Sequence, residues 1–156
     1  STKAFVTQLA CLNLLLLTLM QVKGAKPGTI KNIASSLIEL PDQLAKTLKM
    51  TDTYKAAAKL LFKRNSTLFL GRGLYFPIAR EGALKLKEIS YIHATGYAAG
   101  ELKHGPIALI DENVPVVVIA PGNDPMFEKN CSVTKNHLRK LPNLQVSAVW
   151  LWRDVT

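Results

Sequence analysis

Two short apolar runs, TLFLGRG (67–73) and NVPVVVIAP (113–121), bracket a stretch that repeats at helical period. This order constrains the fold more than any other feature of the chain. A short apolar run ending in glycines reads as a buried strand leaving a sheet, and the β-branched run over 113–121 reads as a second strand. Between them a helical pattern extends from about Phe76 to Ile92. Farther on, residues 125–140 suit a helix and residues 144–150 a third strand. Strands that alternate with helices specify an α/β fold, a three-layer sandwich whose parallel sheet is covered on both faces.

The first third of the chain is helical by pattern. Ser1 or Thr2 offers a capping hydroxyl to a helix that runs to about Val22. Its run FVTQLACLNLLLLTLM (5–20) is broken by Thr7, Gln8 and Asn13, and it is shorter than the ~20 apolar residues of a membrane span. It also lacks the cationic start and small-residue cleavage site of a signal peptide. A buried core helix is expected there, with Cys11 a buried free thiol. Ile30, Ile33, Leu37, Leu40, Leu44 and Leu48 then mark an amphipathic helix over about Thr29 to Lys49, kinked or divided at Pro41. A short helix from Asp52 to Phe62 follows. The expected organisation is a helical segment over 1–50 and an α/β domain over 51–156. The chain opens at Ser1 without a Met and is expected to be a piece of a longer polypeptide.

The net charge of +9 raises nucleic acid or a phosphorylated small molecule as partners. The cations are scattered, with no run longer than two and little aromatic interleaving, which argues against nucleic acid. Cys11 and Cys131 form neither a CxxC pair nor a zinc-ligand pattern, which fits a reducing, cytoplasmic setting.

In open α/β sheets ligands gather beyond the carboxyl ends of strands. The loop Gly71-Arg72-Gly73 holds that position, with Arg72 as a candidate ligand cation. As a motif it is weak, since Phe76 stands where a dinucleotide fingerprint requires glycine, and a tight strand-to-helix turn is the plainer reading. On the next helix Ala79, Ala83, Leu86 and Ile89 share a face that should cover the sheet. Glu81, Lys85 and Glu88, spaced i, i+4, i+7, form a stripe roughly opposite. Spacing alone favours a solvated charge ladder. Leu84, Tyr91 and Ile92 border the stripe, however, and leave open a face turned to another domain, a subunit or a cleft. The segment ATGYAAGELKHGP (94–106) reads as a glycine-punctuated loop carrying Glu101, Lys103 and His104. His104 is the group there best suited to moving protons near neutral pH, while His93 and His137 are read as structural.

The stretch LGRGLYFPIAREGALKLKEISYIHATGYAAGELKHGPIALID (70–111) resembles the sugar-isomerase (SIS) domain family. GALKLKE followed by GELKHGP carries the likeness, specifically to the second SIS domain of the isomerising aminotransferases that act on fructose 6-phosphate. The opening STKAF resembles the segment closing the first such domain, so the resemblance covers about residues 1–130. It implies a flavodoxin-like α/β sandwich in a cytoplasmic homo-oligomer, and conversion of fructose 6-phosphate to glucosamine 6-phosphate with ammonia from glutamine. By motif match Glu88 would move the proton between C1 and C2, with Lys85 assisting. His104 would help open the sugar ring in a neighbouring subunit's site, and Ser1 would lie near the sugar. No metal or cofactor is implied. The family's phosphate-binding loop, Schiff-base lysine and glutaminase domain are not in this sequence. Thr95 stands where an acidic residue is expected, and the pattern fades after Asn130, which implies an incomplete sheet. A sugar-phosphate-binding module of a regulator and a structural dimerisation unit are the competing readings. The paired Glu88 and His104 motifs argue against both, and no helix-turn-helix accompanies them.

Overall fold

The computed structural model describes residues 2–111 and 113–120. Ser1, Cys131, His137, the helix expected over 125–140 and the strand expected over 144–150 lie outside them. The chain divides into two compact units, one ending at Thr51 and one starting at Asp52.

The first unit consists of α1 (Thr2–Val22) and α2 (Pro27–Leu48), packed against each other. The turn between them uses Gly24 in the left-handed region, at φ 69°, and the Ala25 N–H donates to the Met20 carbonyl at 2.9 Å. Proline suits a first helical turn because that turn's N–H groups have no partner inside the helix, so α2 starts at Pro27 rather than Thr29. Pro41 does not divide it.

Two expectations fail in this unit. None of its described residues is buried, and α1 is no core helix here: Leu12 is 61% exposed, with Leu14, Leu15 and Leu19 exposed beside it. Cys11, expected to be buried, is exposed. Leucines occupy consecutive positions around α1, and a single neighbouring helix cannot cover every side of such a cylinder. By length and composition alone, Lys3–Val22 would suffice to cross a membrane.

In the second unit α3 (Thr51–Leu61) is followed by β1 (Ser66–Gly71), α4 (Tyr75–Ser90), β2 (His93–Ala98) and β3 (Val116–Ile119). Two 3₁₀ turns, Ala99–His104 and Pro106–Leu109, join β2 to β3. The described strands form a parallel sheet in the order β2-β1-β3. Ser66 stands opposite His93 and Leu68 opposite Val116, and both pairings run to Gly71.

Side chains alternate across this sheet, as the period of two requires. Phe69 and Val117 point to one face, where Ala79 and Ala83 of α4, Ala94 of β2 and Leu61 of α3 meet them. Leu68, Leu70, Val116 and Val118 point to the other, where Leu102 and Ile110 close over them. Full burial of side chains such as Leu70, Leu102 and Val118 stabilises the fold by about 1.5–3 kcal/mol each. The α/β reading therefore holds, with parallel strands and a layer on each face. Among the described residues the second layer is made by the 3₁₀ turns rather than by a long helix.

β2 itself is a correction, because residues 94–98 belong to the stretch expected to be loop. They contain alanines and a glycine rather than a β-branched run, and strand propensity mostly reflects fit to a half-buried surface. Here the fit demands small residues. A Cβ on Gly96 would stand 2.8 Å from Arg80 Cα, so α4 can lie this close to β2 only over a glycine.

Candidate active site

The site begins where β1 ends. A Cβ on Gly71 would collide with the Tyr75 carbonyl, so glycine is what lets the chain turn so tightly from β1 into α4. The Tyr75 and Phe76 N–H groups donate to the Arg72 and Gly73 carbonyls at 3.0 and 3.2 Å. Arg72 is exposed at this carboxyl end of the sheet. Pro77 falls in the first turn of α4, where no intrahelical N–H is missed. The helix stops at Tyr91, which adopts φ 60° and donates its N–H to the Lys87 carbonyl at 3.1 Å.

Along α4 the charged stripe is assembled. Lys85 Nζ lies 2.7 Å from Glu88 Oε2 and 3.5 Å from Glu81 Oε1. The side chains of Lys85 and Glu81 are only 16% and 22% exposed, and that of Glu88 is 42% exposed. This is a partly sheltered ion-paired cluster rather than a freely solvated ladder. The hydrogen bond that Lys85 Nζ donates to Glu88 raises the Lys85 pKa above the ordinary lysine range, opposed by partial desolvation and helped by the two carboxylate charges. The cation is therefore secure at neutral pH.

Of the face expected to cover the sheet, Ala79 and Ala83 are buried and Leu86 packs against the core. Ile89 does not, and is 75% exposed. At about 100° per residue it lies roughly a quarter turn from the line of Ala79 and Ala83.

His104 ends the first 3₁₀ turn and is exposed, next to Gly105 at φ 143°. Among the described residues no hydrogen bond or ion pair joins it to Lys85 or Glu88. His93, read as structural, lies exposed on β2 with Nε2 3.3 Å from Thr95 Oγ1. No group of three or more His, Cys, Asp or Glu among the described residues is placed to hold a metal ion.

A cleft of about 620 Å³ runs beside the stripe, lined by Phe76, Arg80, Glu81, Leu84, Lys87 and Thr95 among others. Reading the sequence missed it. Arg80, Leu84 and Lys87 recur at i, i+4, i+7 and were visible as a face, but the opposite wall is β2, which the pattern did not reveal.

Fold and site together define the class. Residues 60–128 match the model of the SIS domain, and this part of the chain is a SIS domain. The chain is 55% identical over 130 residues to the isomerizing glutamine–fructose-6-phosphate aminotransferase of Pseudomonas syringae pv. tomato, and 55% identical over 134 residues to that of Agrobacterium fabrum. These matches cover 83% and 85% of the chain but only 21% and 22% of the relatives, so the chain spans about a fifth of their length. The C-terminal domain of glucosamine-fructose-6-phosphate aminotransferase from Francisella tularensis superposes with a TM-score of 0.84 at 38% identity, covering 99% of this chain and 47% of that one.

Proposed function

We propose that this chain is part of the isomerase half of an enzyme that makes glucosamine 6-phosphate from fructose 6-phosphate and glutamine. The observation that carries the reading is the Lys85–Glu88 pair at 2.7 Å, held on the helix that follows the first strand of a SIS domain. The names of relatives 55% identical to the chain support it.

In this reading Glu88 takes a proton from C1 of the opened sugar and returns it at C2. A carboxylate does this best when it is ionised at rest yet shielded from water. The Lys85 ammonium favours the ionised form. The half-exposed side chain of Glu88 leaves the shielding to substrate and to a neighbouring subunit. His104, exposed and not bonded to Glu88 among the described residues, suits a role in ring opening at the site of a second copy, in a homo-oligomer. Arg72, at the carboxyl end of β1, would meet the substrate, as would Ser1.

The groups that bind phosphate and deliver ammonia would come from a preceding SIS domain and a glutaminase domain of the same enzyme. Residues 1–50 would close that preceding domain, whose surface would cover the exposed leucines of α1 in place of a membrane. Thr7, Asn13 and Thr18 bond back to carbonyls of their own helix at 2.8–3.0 Å, which readies that surface for apolar cover. The enzyme would be cytoplasmic, with no metal, cofactor or nucleic acid in the reaction.

The test is fructose 6-phosphate isomerisation by this chain combined with the complementary domains. Glu88→Gln should lower kcat by about 10²–10⁴-fold with KM little changed. Full activity in that variant would remove the assigned base.

A further inference from the structure

We propose that the cleft between α4 and β2 is a second binding site, for a small phosphate monoester or carboxylate that carries an apolar or aromatic body. Its lining shares Glu81 with the ion-paired stripe but otherwise lies to one side of it on α4. Arg80, Leu84 and Lys87 each precede a stripe residue by one position, which is about 100° around the helix. The volume, about 620 Å³, falls within the roughly 300–1,000 Å³ typical of small-molecule sites.

The charges are uneven. Among the described residues neither Arg80 nor Lys87 enters an ion pair. Glu81, the one carboxylate among the described residues of the lining, is already turned to Lys85 at 3.5 Å. Two cations on one face of α4, about two helical turns apart, therefore border the cleft with little among the described residues to neutralise them. The Arg80 guanidinium stands 5.9 Å from the centre of the Phe76 ring, beside the aromatic surface, where cation–π attraction helps to orient it. A guanidinium so oriented keeps donors for the bidentate pairing that carboxylates and phosphates accept. The β2 strand closes the other side at Thr95 and Gly96, while Phe76, Pro77 and Leu84 supply apolar wall. An inorganic ion would leave that wall in water, and a neutral hydrocarbon would leave the cations unmatched. An amphiphilic anion satisfies both. The glycine at 96 is part of the device, since it allows the wall of β2 to stand this near to Arg80.

Phenyl phosphate titrated into the full chain, followed by amide chemical shifts, tests the site. Saturable binding is expected, with shifts confined to α4 and β2. Phenol should bind at least about tenfold more weakly, as should phenyl phosphate to the double variant Arg80→Gln, Lys87→Gln. Leu84→Glu, which sets a carboxylate between the two cations at an exposed position of the lining, should weaken phenyl phosphate to a similar extent and guards against a folding defect in the double variant. Lys103→Gln, outside the cleft, should stay within about twofold of the parent. The proposal fails if binding does not saturate, if phenol matches phenyl phosphate, or if the double variant and Leu84→Glu both retain the parent affinity.

Discussion

Lys85 holds Glu81 and Glu88 at once, at 3.5 and 2.7 Å, so one ammonium on α4 separates two carboxylates spaced two helical turns apart. Removing it leaves two like charges on one partly sheltered stripe. In the enzyme reconstituted with its complementary domains, Lys85→Met should lower kcat/KM about tenfold or more, since one pKa unit of lost charge balance already amounts to a factor of ten. Lys85→Arg should restore part of the loss. Steady-state kinetics of the three proteins checks this, and equal rates in Lys85→Met and the parent would sink it.

The same pair has a definite pH signature. Because Glu88 raises the Lys85 pKa on folding, the stabilisation is complete below the ordinary lysine value of 10.5. It is lost as pH rises through the higher folded-state value. The difference in thermal midpoint between the parent and Lys85→Met should therefore be constant from pH 7 to 10 and shrink only above that range. A difference already collapsing at pH 9 would show that the pair does not persist in solution.

Gly96→Val tests the approach of α4 to β2. The new side chain would meet Arg80 backbone atoms at 2.8–2.9 Å, and a helix backbone cannot step aside as a flexible side chain can. Overpacking of this kind costs about 1–3 kcal/mol. Gly100→Ala, whose added Cβ meets nothing within 4 Å, should stay within about 0.5 kcal/mol of the parent. Denaturant midpoints of the two variants decide it.

Thr67 lies on β1 fully buried, and its Oγ1 has no hydrogen-bond partner among the described residues. A buried hydroxyl without a partner forfeits its hydration for nothing in return. Thr67→Val keeps the shape and removes that oxygen, so it should stabilise the chain by about 1 kcal/mol. A loss of stability in equilibrium unfolding would mean that the hydroxyl finds a partner in solution.

The alternation of TLFLG, a helical stretch and VPVVVIA was enough to specify β1, α4, β3 and the parallel sheet. These segments announce themselves because burial on both faces demands continuous apolar runs, and burial on one face demands helical period. The spacing of Glu81, Lys85 and Glu88 likewise fixed their neighbourhood, since residues three and four apart on a helix cannot avoid one another. Local chemistry did not determine β2. Ala94 and Gly96 form a strand only because β1 pairs with them and α4 presses on them, so the information lies in their neighbours. The exposure of α1 was equally hidden, because an apolar helix reads the same whether or not something covers it. The sequence by itself settled which segments seek burial and which side chains must meet. Tertiary structure decided which surfaces are covered, that the Lys85 cluster is half sheltered, and that a cleft bordered by Arg80 and Lys87 opens beside it, because each depends on packing between segments far apart in the chain.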